Sequence, residues 1–274
     1  MSRREAPDSA RETLEKAALL GAEFSVPVLL SAGGTPAGLD RLFDGGMLEE
    51  AGPNRARFRD PGRLVGVAGS IPWSRKRRWH SELARACAAL RQAPSGIAHH
   101  HLAAHEFESA RPQLIRAAEK ACMQHRFRQA LRLIRQALDI WPANVEPDDR
   151  LRILREMARC AMNCRENPVA RLAWEEILEM ASDAERLVEA HRQLAALNLT
   201  EKSLDEAGRH LQIAATLAGN SLVASEAARC WLAYADYLAN RLLVRKACEA
   251  EVEIVECFHK GAVCLTALAR AFMM

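Results

Sequence analysis

Three arginines in the middle of the chain have a spacing that suits the binding of an acidic partner. Arg152, Arg155 and Arg159 follow one another at helical intervals, so they lie on one face of a helix. The opposite face is apolar, which predicts that the arginines point away from the packing seam. Guanidinium groups make forked hydrogen bonds to carboxylates and phosphates. The row therefore predicts a peptide-binding groove, extended on neighbouring helices by Arg192 and Arg229.

The same arginines have a simpler interpretation. They can pair with Glu156 or Glu189, or with water, and have no further role than solvating the helix. Both interpretations require an exposed helix face. They differ in whether a partner's acidic groups replace these pairs, so the sequence leaves both open.

Basic residues nearer the N-terminus offer a different chemistry, contact with DNA phosphates. They alternate along a predicted strand and then form a run flanked by two tryptophans; they are Arg55, Arg57, Arg75, Lys76, Arg77 and Arg78. The preceding helix carries Asp40 and Asp44 but only Arg41, which is unfavourable in a phosphate-lined groove. DNA binding is therefore kept as the alternative function, and a solvated helix face above packed tryptophans as the simpler interpretation of the run.

Histidines 99–101 and His105 form a dense imidazole cluster. If one helix spans them, His101 and His105 share a face at a spacing that suits metal ligands. No cysteine or carboxylate stands at a fixed spacing to complete a site, and Glu106 lacks the H-E-x-x-H frame. We therefore predict neither a metal nor a cofactor.

Motifs for catalysis are also missing from the sequence. No Ser-His-Asp or Cys-His-Asn order stands out, and no G-x-x-x-x-G-K-[ST] loop is present to hold a nucleotide. The glycine pairs at 33–34 and 45–46 are not followed by Lys-Ser or Lys-Thr. We predict a protein without enzymatic activity.

Composition predicts a helical protein packed through small side chains. Of 274 residues, 49% are hydrophobic but only 5% are aromatic, and the net charge of +3 is close to balanced. The eight cysteines are scattered, most of them within helical patterns. The first residues are charged and resemble no secretory signal, and no apolar run reaches the roughly 18 residues that span a bilayer. These features predict a cytoplasmic location, with the thiols as small hydrophobic groups.

The first seventy residues predict three helices followed by a β-hairpin. Ser9 is the expected N-cap of the first helix, residues 26–31 form the second, and Thr35-Pro36 opens the third. Residues 47–51 and 55–59 alternate on either side of a Gly-Pro-Asn turn, as the strands of a hairpin do. This order predicts a winged helix.

The remainder of the chain predicts repeated helix pairs. Small residues recur at Ala130, Ala170 and Ala207, with Ala247 as a weaker fourth, at spacings close to those of tetratricopeptide (TPR) repeats. Each is preceded twelve residues earlier by a second small residue, at Ala118, Ala158, Ala195 and Ala235. The third pair departs at the position of His191, and the fourth at Glu251. A terminal amphipathic helix rich in Leu, Phe and Met follows, which either caps the array or indicates a fragment of a longer one.

Four segments in this order resemble the region that follows the ATPase module in STAND-type regulators. They read AALLGAEFSVPVLLSA, LDRLFDGGMLEEAGPNRARFRD, RKRRWHSELARACAAL and GIAHHHLAAHEFESARPQLIRAAEKA. That family includes large LuxR-type ATP-binding regulators and the ATPase parts fused to adenylate cyclases. The resemblance implies a winged helix that packs on a nucleotide module, followed by a TPR or MalT-like array. The absence of a P-loop departs from the family and implies that any ATPase is supplied elsewhere.

The expected organisation follows from these patterns. Residues 1–8 are a disordered lead-in, residues 9–70 a winged-helix-like domain, residues 71–110 a helical connector and residues 111–274 an array of about four TPR-like pairs with a terminal helix. The expected fold is mostly all-α. The expected function is a regulatory module that binds a protein or peptide, as a fragment or remnant of a STAND-type regulator.

Overall fold

The computed structural model describes residues 5–142, 145–221, 229–237, 259–260 and 262–263. The chain divides into two compact units, Met1–Trp141 and Pro142–Met274. Helices predominate in both, and a small antiparallel sheet lies in the first unit, so the mostly all-α prediction is confirmed. Ala247, Glu251 and the predicted terminal helix beyond Val263 lie outside the described residues.

Eight helices and three strands make up the described part of the first unit. In chain order they are α1 (Glu5–Leu20), β1 (Glu23–Ser25), α2 (Val26–Ser31), α3 (Pro36–Asp44), β2 (Leu48–Gly52), β3 (Arg55–Phe58), α4 (Pro61–Ser70), α5 (Trp73–Ala89), α6 (Pro94–Ala103), α7 (Phe107–Met123) and α8 (Phe127–Asp139). The described part of the second unit contains α9 (Pro147–Asn163), α10 (Asn167–Met180), α11 (Ala184–Thr200), α12 (Leu204–Ser221) and a helical segment at residues 229–237.

The predicted hairpin is present as β2 and β3. A third strand, β1, pairs antiparallel with the other side of β3, which gives the order β1-β3-β2. Ala56 and Phe58 of β3 and Phe24 of β1 are buried, and they pack with Leu42 and Leu48 in one apolar core beneath the sheet. The alternate residues of β3 remain exposed, as the period of two requires.

One local prediction near the N-terminus is wrong, and one helix there has no counterpart in the sequence prediction. The first helix begins at Glu5, so Ser9 lies inside it and accepts a hydrogen bond from Thr13 Oγ1 instead of capping the helix. Helix α4 was not predicted, because its three glycines lower helix propensity. The Asp60 side chain accepts the backbone N–H of Gly62 and so caps this helix.

A buried polar network joins α1 to α5. Glu15 is 3% exposed, and its carboxylate accepts the indole N–H of Trp79 at 3.0 Å and pairs with Arg75 at 3.1 Å. Burial alone would raise the pKa of the Glu15 carboxyl, but the hydrogen bonds from Trp79 and Arg11, with the charges of Arg75 and Arg11, hold this pKa below its ordinary value. The carboxylate is therefore charged and satisfied although it is buried.

Lys16 is the second buried charge in this network. Its ammonium donates to the carbonyl oxygen of Ala32 at 2.7 Å, pairs with Glu82 at 2.8 Å and lies 4.1 Å from the centre of the Trp79 ring. The two adjacent charged residues of α1 thus contact α5 and the end of α2. Apolar periodicity did not predict this arrangement, because Glu15 and Lys16 are charged residues on a buried face.

The same kind of turn ends the first helix of successive helix pairs. His125, Arg165 and Lys202 adopt the left-handed backbone conformation, with φ of 57°, 60° and 63°. After each of them, the next backbone N–H bonds to a carbonyl five residues earlier, as in the bond from Arg126 to Ala121. This Schellman-type turn reverses the chain without a glycine. It defines the pairs α7/α8, α9/α10 and α11/α12.

The small residues that predict the repeats lie in the seams of these pairs or, for Ala235, in the helical segment at residues 229–237. Each is at most 2% exposed; they are Ala118, Ala130, Ala158, Ala170, Ala195, Ala207 and Ala235. The large residues four positions after Ala130, Ala170 and Ala207 are buried too; they are Ile134, Trp174 and Leu211. The TPR-like repeat prediction is confirmed for the described pairs.

The departure of the third pair at His191 has a structural explanation. His191 of α11 and His210 of α12 place their Nδ1 atoms 2.9 Å apart across the pair. The pKa of His191 is lowered to about 4, mainly by burial and to a smaller extent by the nearby His210. The imidazole pair fills the place that a large apolar residue takes elsewhere.

Among the described residues, no helix is both long enough and apolar enough to cross a membrane.

Trp174 allows a test of what an unpaired polar group costs in the core of the second unit. It is 1% exposed, and its indole N–H is the one buried side-chain polar atom without a hydrogen-bond partner among the described residues. Because an unpaired buried donor costs about 1–3 kcal/mol, Trp174→Phe is expected to leave the free energy of unfolding within about 1 kcal/mol of wild type. Trp79→Phe, which removes a satisfied donor, is expected to cost more. Urea unfolding of both variants checks this, and equal losses would contradict it.

Candidate functional site

The α9 arginine row, Arg152, Arg155 and Arg159, lies on the exposed face of the helix. The side chains are 51%, 50% and 60% exposed. Leu151 and Leu154 on the opposite face are buried, so the predicted orientation of this helix is present.

Each arginine of the row pairs with an acidic residue. Arg152 Nε lies 3.5 Å from Asp149, and Arg159 donates to Glu156 at 2.9 Å, both within α9. Arg155 reaches the neighbouring first helix, where its Nε lies 3.2 Å from Glu189 of α11. Two of these acids, Glu156 and Glu189, are those that the simpler interpretation named. The arginines are thus paired, and they remain half-exposed.

A second ion pair joins α9 to α11. Arg186 of α11 donates to Asp148 of α9 at 2.6 Å, and it also lies 3.4 Å from Asp183. The hydrogen bond from Arg186 to Asp148 is the main reason that the pKa of Arg186 is raised. The first helices of the two pairs therefore present one continuous charged surface. Sequence spacing did not identify Arg186 and Asp148, because only the packing of the repeats brings them together.

The two arginines predicted on neighbouring helices take different positions. Arg192 is half-buried on α11, whereas Arg229 is exposed in the helical segment at residues 229–237. Arg192 is thus on the same helix as Glu189 and Arg186, and it is less exposed than the residues of the α9 arginine row.

The arginines of β3 are neutralised within the sheet. Arg55 donates to Glu23 of β1 at 2.6 Å, and Arg57 donates to Glu49 of β2 at 2.6 Å. Arg59 lies 3.5 Å from the same Glu49 carboxylate. The exposed face of the hairpin is therefore a ladder of opposite charges, which presents little net positive potential to a phosphate backbone.

The basic run at the start of α5 is engaged in contacts within the first unit. Arg75 binds the buried Glu15, and Arg77 donates through two nitrogens to the carbonyl oxygen of Ala104. Arg78 stacks over the Trp79 ring at 4.3 Å. Lys76 is partly buried and raises the cost of protonating His80. These contacts give the run a role in holding α1, α5 and the end of α6 together.

The structure adds His80, which the sequence did not group with the others, to two histidines of the predicted cluster, His99 and His100. His80 of α5 and His100 of α6 are buried with their Nδ1 atoms 2.9 Å apart, and exposed His99 lies beside both rings. Burial, with the neighbouring imidazoles, lowers the pKa of His80 to about 4 and that of His100 to about 3; Lys76 contributes at His80. Both buried rings are therefore neutral at pH 7.

The shared helix face expected for His101 and His105 is not present. Helix α6 ends at Ala103, and His105 follows in the left-handed conformation with φ of 61°. His101 turns to Glu106, at 2.7 Å, and the same carboxylate accepts the hydroxyl of Ser81 at 2.6 Å. Burial would raise the pKa of Glu106, but these hydrogen bonds lower it overall.

Comparisons with known proteins show repeat proteins among similar folds. No family model and no curated protein matches the chain. A protein named a kinesin light chain from Podosopora anserina, with nearly identical TPR-like repeats, is 16% identical over 70% of this chain and 96% of its own, with a TM-score of 0.48. BtubC from P. vanneervenii is 16% identical over 76% of this chain and 84% of its own, with a TM-score of 0.44.

A third similar structure is a signal-transduction ATPase. The STAND protein with a tetratricopeptide repeat sensor from Pyrococcus horikoshii is 10% identical over 97% of this chain, with a TM-score of 0.39. The match spans 47% of that protein's own length.

Proposed function

We propose that this chain is a non-enzymatic interaction module that binds an acidic segment of a protein partner across α9 and α11. The observation that carries the proposal is the α9 arginine row, whose side chains are 50–60% exposed and pair at 2.9 to 3.5 Å with acids that are themselves partly or fully exposed. Such surface pairs contribute about 0–1 kcal/mol, so a partner's carboxylates replace them at little cost. Forked hydrogen bonds to the incoming carboxylates then provide both affinity and orientation.

The helix pairs supply a rigid support for this surface. Alanines at the seams allow α9 and α10 to pack closely, and the buried anchors fix which face of α9 points outward. Stacked pairs of this kind present surfaces on their first helices that bind extended segments. Because the arginines are held on one rigid helix, little order has to be gained on binding.

The proposal extends to the regulator in which such a module acts. The order of helices and strands in residues 9–70 supports a winged helix, and the sequence resemblance supports a STAND-type regulator. In such a protein the module would hold or sense its partner and restrain an ATPase module supplied elsewhere. The engaged state of Arg75, Arg77 and Arg78 favours this function over DNA binding.

Selection from a displayed peptide library tests the proposed surface. The chain is expected to select peptides rich in Asp and Glu, with affinity that falls as salt rises. The double variant Arg155→Glu/Arg159→Glu is expected to bind the selected peptides at least about tenfold more weakly, which corresponds to about 1.4 kcal/mol. The matched control is Arg128→Glu/Arg132→Glu, which reverses two exposed charges on α8.

The outcomes separate the candidate functions. Equal losses in both double variants, or no selection of acidic peptides, would contradict the proposed surface. Salt-dependent binding of duplex DNA that is lost on replacing Arg75, Lys76, Arg77 and Arg78 would favour the alternative function. No mobility shift at low salt would exclude it.

A further inference from the structure

The histidine cluster, His80, His99 and His100, has the geometry of a ligand set. Its ring centres lie 5.2 to 5.9 Å apart, and one nitrogen from each ring lies within 4.8 Å of the other two. We propose that the cluster binds a divalent transition-metal ion, of which zinc fits the ligand set best. This site is separate from the proposed peptide surface, which lies in the second unit.

Three imidazoles define the kind of ion. A tetrahedral zinc ion with Zn–N bonds of about 2.0–2.1 Å needs nitrogens about 3.4 Å apart and keeps its fourth position for water or an outside ligand. The Nδ1 atoms of His80 and His100 lie 2.9 Å apart in a ring-to-ring hydrogen bond that the ion would replace, and a nitrogen of His99 lies within 4.8 Å of both rings' ligand atoms. Magnesium and calcium prefer oxygen ligands, whereas imidazole suits zinc, copper and nickel.

The surroundings position the two helices that supply the ligands. Ser81, next to His80, donates to Glu106 at 2.6 Å, and Glu106 in turn contacts His101 at 2.7 Å. This bridge ties α5 to the residues that follow α6, directly beside the cluster. Contacts of this kind hold ligand-bearing backbones in place. They also engage His101, which is not among the three clustered histidines.

Exposure and protonation suit metal entry. His80 and His100 are buried, whereas His99 is exposed and gives the ion and its water a route from solvent. Burial keeps the two inner rings neutral at pH 7, which is the form that coordinates metal. The group contains no carboxylate among the described residues, and Lys76 lies near His80. Both features limit affinity and favour ions that bind nitrogen strongly.

Zinc titration of the chain without an affinity tag tests the site. We expect one zinc ion per chain by calorimetry, and cobalt in its place to give the visible absorption of a tetrahedral complex. His99→Ala leaves the buried pair intact and is expected to weaken zinc binding by more than the roughly 10- to 100-fold that loss of an outer contact causes. The control His125→Asn replaces an exposed histidine in a turn that asparagine tolerates, and it is expected to bind zinc as wild type does.

Three outcomes would overturn the proposal. The first is no zinc binding by the wild-type chain, and the second is equal affinity in wild type and His99→Ala. The third is binding that survives His99→Ala but is lost in His210→Asn, which would assign the zinc to the pair formed with His191 in the second unit.

Discussion

Replacing Trp79 by alanine is expected to remove most of the stability of the first unit. The side chain is 2% exposed, and truncating a buried tryptophan costs about 3–5 kcal/mol. The loss also removes the N–H that Trp79 donates to Glu15, whose carboxylate then keeps its bonds from Arg11 and Arg75. A hydrogen bond to a charged group contributes about 1.5–3 kcal/mol. Domains are stable by only about 5–15 kcal/mol, so the variant is expected to be largely unfolded under mild denaturing conditions.

Trp73→Ala is the matched control for this prediction. Trp73 lies on the same helix, is 66% exposed and makes one cation–π contact with Arg77, which is worth about 0.5–1 kcal/mol at an exposed site. Urea unfolding followed by circular dichroism measures both variants. Similar losses in the two would show that the network around Glu15 and Lys16 does not hold α1 to α5.

The features predictable from sequence are those that periodicity reports. Ala130, Ala170 and Ala207 are buried because the two helices of a pair can pack closely only where both have small side chains at the seam. The hairpin is present because its residues alternate and its turn is marked by Gly-Pro-Asn. Strand β1 was missed because three residues are too few to show an alternating pattern.

The polar contacts depend on tertiary packing, which spacing along the chain does not report. Lys16 meets Glu82, and His80 meets His100, only after α5 has folded back on its neighbours. The expected pairing of His101 with His105 failed for a local reason. Helix α6 ends at Ala103, and the left-handed residue that follows the helix end is His105 and not a glycine. The usual sequence signal for a helix end is therefore missing.

For the α9 arginine row, the sequence predicts the orientation of the side chains but not the packing that brings their partners together. Its exposed face follows from the apolar stripe opposite, and the structure agrees with that orientation. The pairing of Arg155 with Glu189, and of Arg186 with Asp148, required the register between α9 and α11. Whether a partner's carboxylates replace these acids stays a prediction, and the paired charge reversals decide it.

Acidification is expected to destabilise the first unit well above the pH at which carboxylates titrate. A histidine in the unfolded chain has a pKa near 6.5, whereas burial holds the pKa of His80 at about 4 and that of His100 at about 3. Between these values the unfolded chain binds more protons than the folded chain, so the free energy of unfolding falls as the pH falls. The stabilising contribution is complete above pH 6.5 and is lost progressively below it.

The expected loss between pH 7 and pH 5 is about 2 kcal/mol for each of the two histidines, or about 4 kcal/mol for the pair. Urea unfolding across this range, with a chelator present to remove metal, measures the slope. His80→Leu/His100→Leu replaces both partners by apolar groups, so this variant is expected to lose most of the slope. His125→Asn should retain it, because that histidine is exposed. A slope that is unchanged in the double variant would place the proton uptake elsewhere, first at His191, whose pKa burial lowers to about 4 in the second unit.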